Sequence, residues 1–271
     1  MENKKSKKLK YSDIDLSCWK DYEDIRTDSL WIYNQRDKSN GHKFEYHGNF
    51  IPQIASQMFR RYTKSGEVIV DWFLGAGTSA IEALSLDRKL IGIDLKDELI
   101  NQVNDRISQH SQKDNIKLIC GDSTKKATKV KVQKYLDEMG CKQAHFAVLH
   151  PPYADIIKFS NKKNDLSNCI STDDFLDMFE KVAQNAYDLL EKGRFACLVI
   201  GDKYENQQLD PLGFKCMQRM NDVGFKTKSI IVKNIEGNEK AKGKDNNLWR
   251  YRALAGGFYI FKHEYVMVFF K

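Results

Sequence analysis

The chain has 271 residues, 41% apolar and 30% charged, which suits a globular protein of one large domain and excludes a disordered chain. No stretch approaches the roughly 18 consecutive apolar residues of a membrane span. The net charge of +7 favours an anionic partner, most simply nucleic acid, although a basic protein without such a partner would carry it equally well.

Residues 1–40 are polar and irregular and read as a basic N-terminal arm, followed by one catalytic-sized domain over 41–271. Met1 to Lys10 is lysine-rich with no apolar core, so a mobile tail and no secretory signal are expected. Trp19, Trp31 and Tyr33 predict that the rest of the arm packs on something, as a core flap or a lid. Ile51, Ile54, Ala55, Met58 and Phe59 then recur at helical spacing, with Pro52 near the helix start. Glu67 to Asp71 is a short β-branched strand, Thr78 to Leu86 a helix, and Lys89 to Asp94 a second strand. A helix over Leu95 to His110 leads to a third strand at Ile116 to Cys120. Ala144 to Leu149 is a fourth strand, Phe175 to Leu190 an amphipathic helix, and Arg194 to Ile200 a fifth strand. A helix over Pro211 to Val223 precedes strands at Ser229 to Val232 and Tyr265 to Phe270, an antiparallel hairpin expected at the sheet edge. Asn234 to Arg252 is rich in Lys, Asn and Gly and reads as an exposed loop. Strands alternating with helices predict a mostly parallel α/β sheet. The six cysteines, at 18, 120, 141, 169, 197 and 216, form no C-x-x-C pair. That argues against structural zinc, and no metal is expected; a reduced, cytoplasmic setting fits.

The chemistry-bearing residues fall at strand ends. Gly75 and Gly77 follow the first parallel strand and open a helix, where glycine allows a tight turn and close approach of a ligand. Ala80 stands where the third glycine of a dinucleotide fingerprint would fall, and no G-K-[ST] follows, so a phosphate cradle is excluded. Asp94 ends the next strand, where an acid can accept both hydroxyls of a ribose. Asp122, after the third strand, can accept from an adenine amino group. Together these tips suit a nucleoside cofactor without pyrophosphate; helix capping by the two acids is the plainer alternative. The fourth strand ends in His150-Pro151-Pro152-Tyr153. Two prolines fix φ, remove two donors and present rigid carbonyls, and the tyrosine offers a face on which an extruded base can stack.

From these residues the chain resembles the S-adenosylmethionine-dependent amino methyltransferases that modify adenine N6 or cytosine N4 in DNA. The resemblance covers residues 47–271 and implies a Rossmann-like methyltransferase fold. It implies S-adenosyl-L-methionine as cofactor, held by Phe50 and Pro52 of a flanking motif, by Asp71, Phe73, Gly75, Gly77 and Thr78 of the glycine loop, and by Asp94 and Asp122. His150, Pro151, Pro152 and Tyr153 fall on the catalytic tetrapeptide. Its first residue in the family is usually Asp, Asn or Ser; the histidine here leaves the target base open. The amino nitrogen of a base is a poor nucleophile and must be positioned in line with the methyl, its hydrogens drawn out of the ring plane. The Pro151 carbonyl can accept one hydrogen and a neutral His150 imidazole the other, so activity is expected to fall as His150 protonates. Carbon-5 methylation is disfavoured, because no Pro-Cys pair occurs.

Asp155, Lys158 and the polar stretch to Ser167 predict a mobile loop over the target. Lys240, Lys242, Lys244, Arg250 and Arg252, interleaved with amides and aromatics, are the candidate contacts to double-stranded DNA. There is little room for a separate recognition domain, so recognition is short or shared across a homodimer, and a cognate restriction endonuclease fits the same scheme. No membrane partner is expected. An RNA or protein methyltransferase of the same fold, or a non-catalytic nucleic-acid-binding relative, are the competing readings.

Overall fold

The computed structural model describes residues 8–39, 42, 48–153, 158–205, 208–235 and 246–271. Its frame is an eight-stranded sheet. In chain order the strands and helices are β1 (Leu30–Trp31), α1 (Pro52–Tyr62), β2 (Val68–Asp71), α2 (Thr78–Ser85), β3 (Lys89–Asp94) and α3 (Asp97–Ile107). Then come β4 (Ile116–Cys120), α4 (Lys126–Glu138), β5 (Ala144–Leu149), α5 (Thr172–Leu189) and β6 (Leu190–Ile200). The chain ends with β7 (Lys203–Glu205), β8 (Gln208–Asp210), α6 (Leu212–Val223), β9 (Lys226–Asn234), α7 (Asn246–Gly256) and β10 (His263–Phe270).

The strand order is β1-β9-β10-β6-β5-β2-β3-β4, with β7 and β8 forming a small separate hairpin. Strands β2 to β6 run parallel, and their near-continuous apolar character is what a sheet covered on both faces requires. One face is packed by Ile54, Met58, Phe59, Ala80 and Val103 from α1, α2 and α3. The other is packed by Val132, Phe175, Phe179, Cys216 and Met220 from α4, α5 and α6.

Topology positions the site. From β2 the chain builds outward through β3 and β4, then crosses back to lay β5 on the other side of β2. Neighbouring connections therefore diverge at the carboxyl tips of β2 and β5, which opens a crevice there.

Three expectations need correction. β9 and β10 do pair antiparallel, but the sheet edge outside them is β1, which adds parallel to β9. The side-chain amide of Asn234 locks that edge: its Nδ2 donates to the Tyr33 carbonyl at 2.9 Å and its Oδ1 accepts from the Tyr33 N–H at 2.8 Å. Trp31 is buried at 1% exposure, as expected, whereas Trp19 is 64% exposed and packs on no core. The span read as a loop from Asn234 to Arg252 ends in helix α7, and its residues 236–245 lie outside the described residues, as do Met1 to Lys7 of the basic tail.

Candidate active site

The glycine loop begins tied to its neighbours. The Trp72 N–H donates to the Val148 carbonyl of β5 at 3.0 Å, and the Leu74 N–H to the Ile93 carbonyl of β3 at 2.8 Å. Asp71 does not face the crevice: it is fully buried and its carboxylate accepts from the Phe73 N–H at 3.0 Å and from the Ser79 hydroxyl. It thus ties the strand end to the first turn of α2. Burial raises its carboxyl to about 6, opposed by those two hydrogen bonds and helped by the nearby Asp94 charge. Gly77 has φ of +83°, and a Cβ there would meet Val103 Cγ2 at 2.7 Å, so only glycine fits this turn. Thr78 opens α2, and Arg36 from the N-terminal segment lies 3.4 Å from its hydroxyl, with Arg36 also donating to the Asn49 carbonyl. Phe73 is partly exposed beside the crevice.

The two acids behind the loop are positioned as strand tips. Asp94 accepts from the Gly75 N–H and the Lys96 N–H, each at 2.9 Å, and burial pushes its carboxyl above the ordinary range. Asp122 accepts from the N–H and hydroxyl of Thr124 at 2.9 and 2.7 Å, and from Asn164 Nδ2 at 3.0 Å. A cavity of about 770 Å³ lies beside these tips, lined in part by Lys96, Leu99, Arg106, Phe159 and Lys162. Lys162 Nζ donates to the Leu95 carbonyl at 2.6 Å, so the segment following the tetrapeptide crosses over the ends of β3 and β4. Asp155 of that segment lies outside the described residues, so the loop expected over the target is described only from Lys158 onward.

At the β5 tip, the His150 ring sits 5.2 Å from the ring of Phe50 and 6.0 Å from that of Tyr153, edge-on to both. Pro52 is buried at the first turn of α1 and sets the chain entry that places Phe50. Pro151 is buried; Pro152 and Tyr153 are partly exposed. Burial lowers the His150 imidazole to about 4, with Glu264 opposing and Lys233 assisting, so the ring is neutral at neutral pH. The Tyr153 hydroxyl donates to Glu264 Oε2 at 2.8 Å. A Cβ on Gly201, at the end of β6, would lie 3.0 Å from the Tyr153 ring.

The carboxyl tips of the four adjacent strands β5, β2, β3 and β4 therefore carry the tetrapeptide, the loop of Gly75, Gly77 and Thr78, Asp94 and Asp122, with Phe50 beside His150. Lys240, Lys242 and Lys244 lie outside the described residues, while Arg250 and Arg252 stand exposed on α7. Residues that the motif reading missed include Glu264, Lys233, Asn164 and Arg36. The signal for Glu264 was present: an acid in the otherwise apolar run Tyr265 to Phe270 and its flank.

The donor set fits a nucleoside sulfonium. A carboxylate has about four acceptor sites. Asp94 spends two on backbone N–H groups and keeps two, enough for a ribose diol. Asp122 spends three and keeps one, enough for an adenine amino hydrogen. Gly77, packed against Val103 of α3, fixes the turn of the loop that borders the crevice.

Comparison with known proteins agrees. The model of a DNA methylase family, the N6/N4 methylases, matches residues 1–105 and 144–271. The chain belongs to this methylase family. Its fold is the Rossmann-like α/β fold, with a mostly parallel central sheet. The type II methyltransferase M.MjaII of Methanocaldococcus jannaschii is 36% identical over 50 residues, 18% of this chain and 9% of that protein. The tRNA (guanine(10)-N2)-dimethyltransferase of the same organism is 25% identical over 122 residues, 45% of this chain and 33% of its own length. The matched stretches are thus a small part of those relatives. Among solved structures, TrmN from Thermus thermophilus superposes with a TM-score of 0.53 at 15% identity, over 83% of this chain and 50% of that one, which is a likeness of fold. Among the described residues, no helix is long and apolar enough to cross a membrane.

Proposed function

We propose that this methylase transfers a methyl group to the exocyclic amino nitrogen of an extruded base in double-stranded DNA, cytosine N4 or adenine N6. The observation that carries the reading is the placement of a neutral His150 and the Pro151-Pro152 turn at the β5 tip, beside the glycine loop at the β2 tip. When bound, S-adenosylmethionine supplies an electrophilic sulfonium methyl. Thr78, Gly75 and Gly77 border its methionine end, Asp94 takes its ribose and Asp122 its adenine. Phe50, held by Pro52, walls the crevice next to His150. Asp71 and Phe73 shape the loop from within.

The target amine would be held in line with that methyl; transfer would release S-adenosylhomocysteine, and the displaced amino proton would pass to the neutral His150 ring or to water. His150 accepts one amino hydrogen through an unprotonated ring nitrogen, and the Pro151 carbonyl accepts the other. That pulls the hydrogens out of the ring plane and frees the nitrogen lone pair. Pro152 keeps the turn rigid, and the Tyr153 ring stacks on the base. Arg250 and Arg252 on α7, with Lys240, Lys242 and Lys244, supply phosphate contacts. A cytoplasmic setting, a homodimer and a cognate restriction endonuclease accompany this reading.

The test is incubation of the protein with unmodified duplex DNA and labelled cofactor, then mass spectrometry of the nucleosides. N4-methylcytosine or N6-methyladenine is the expected product. Label appearing only as methylguanine in tRNA would overturn the DNA reading, and the tRNA-modifying relative makes that control necessary.

A further inference from the structure

Behind the tetrapeptide lies a buried ion pair that the reaction scheme does not use. Lys233 on β9 and Glu264 on β10 face each other directly across the antiparallel ladder. They are 5% and 8% exposed, and Lys233 Nζ lies 2.8 Å from Glu264 Oε1. The other oxygen of Glu264 accepts the Tyr153 hydroxyl. Two desolvated charges cost a protein more than apolar residues of the same shape would, so the pair is poorly explained as stabilisation. Its geometry ends at the tetrapeptide instead. The Tyr153 ring is held by its hydroxyl on Glu264 and by the close approach of Gly201, and it lies 6.0 Å from the His150 ring at a steep angle to it.

Resting on the reading of His150 to Tyr153 as the catalytic tetrapeptide, we propose that Glu264 and Lys233 are positioning residues. Glu264 holds the base-stacking Tyr153 by its hydroxyl, and the pair balances the charge seen by His150. Neither residue touches the reacting atoms in this scheme. Among the described residues, the charges that act on His150 come from these two strands: Glu264 favours the imidazolium and Lys233 opposes it. Its other ring neighbours, Phe50 and Tyr153, are uncharged. The Tyr153 hydroxyl cannot supply a charge near neutrality, because burial and Glu264 together hold it well above the ordinary phenol range.

The pair therefore works on His150 in opposite directions through its two members. Lys233→Met leaves an unopposed carboxylate and should move the His150 titration up by a unit or more. Glu264→Gln leaves an unopposed ammonium and should move it down or leave it no higher than the unmodified chain. The double variant removes both charges in similar shapes, is expected to fold, and should lie between the singles. The measurement is side-chain NMR of histidine-labelled full-length chain across pH, with the His150 signal assigned by His150→Asn. A second readout is steady-state methylation. Glu264→Leu, which removes the acceptor of Tyr153, should lower kcat at least tenfold while the KM for the methyl donor stays within about twofold. Glu264→Gln, which keeps an acceptor, should recover most of that loss.

His150 titrations that coincide in the Lys233→Met and Glu264→Gln variants would overturn the proposal. So would equal kcat in Glu264→Leu and the unmodified chain. The NMR arm does not depend on the substrate. If DNA is never methylated while the titrations still move apart, the functional reading fails and the charge balance at His150 stands.

Discussion

An imidazole free in water takes up a proton near pH 6.5, whereas burial holds that of His150 to about 4. At neutral pH the ring is thus an acceptor, as the proposed chemistry needs. The acid limb of kcat should fall near pH 4 and not across the ordinary histidine range, provided the chemical step limits the rate; stopped-time assays between pH 4 and 8 check it. Removing the acceptor with His150→Ala should cost roughly 10²-fold or more in kcat, whereas His150→Asn, which keeps a side-chain carbonyl, should retain much more. The same depressed value bears on stability. Below pH 6.5 the unfolded chain protonates this histidine first, so stability is lost as pH falls from 6.5 toward 4. The loss is at most about 3 kcal/mol, and less because the ring is partly exposed. Asp71 runs the other way. Its carboxyl is raised to about 6, so ionising it costs stability above that value and the cost vanishes as pH falls toward 3.8. Ser79→Ala takes away the hydroxyl that bonds the carboxylate. Urea unfolding should show a loss of about 1–3 kcal/mol at pH 8 and a smaller one at pH 5.

Elements were legible where burial wrote a pattern. The strand runs ending at Asp71, Asp94 and Leu149 were readable because both faces of the sheet are covered there, which makes them mostly apolar, and the edge run ending at Cys120 stayed readable through Ile116, Leu118 and Ile119 despite Lys117. Helix α4 was not, since only Thr128, Val132 and Leu136 are buried, one side chain per turn, and Val130 at 68% exposure mimics a strand alternation with Val132. Helix α7 was missed because Leu248, Tyr251 and Leu254 are exposed, so no buried stripe marks it. Its stop signal was present: Gly257 takes φ of +66° and the Phe258 N–H reaches back to the Ala253 carbonyl at 3.1 Å, a left-handed helix cap. At the site, motif positions were legible but the directions of side chains were not. Asp71 reads as a ligand and is a buried brace, and the contact between Tyr153 and Glu264 joins residues far apart in the chain. The turn between β2 and α2 carries its own test. Gly77→Ala puts a side chain at a left-handed φ and against Val103. It should lower stability by about 2–4 kcal/mol and weaken S-adenosylmethionine binding in calorimetry, because the crevice wall must shift.

At the scale of the whole molecule, sheet order and charge act together. The crossing back from β4 to β5 fixes where the crevice opens, and the net charge of +7 gives the molecule a long-range attraction for a polyanion. Field alone, however, does not say which surface meets the duplex. Helix α7 is the described element best suited to it: Arg250 and Arg252 are exposed, no acid lies in its sequence, and the Arg252 guanidinium rests over the Trp249 ring at 5.3 Å. If α7 lies on the phosphates, each arginine that neutralises one releases its counterion. The slope of log affinity against log salt should then shrink by about 0.9 for each contact removed. The Arg250→Ala, Arg252→Ala double variant should therefore lose about two units of slope, with weaker binding at low salt and the same methylated nucleoside as product. Fluorescence anisotropy with duplex DNA from 50 to roughly 300 mM salt reads the slope directly. A slope unchanged in the double variant would place the duplex on another face of the molecule, because a general field of +7 reduced by two charges cannot mimic the loss of two specific phosphate contacts.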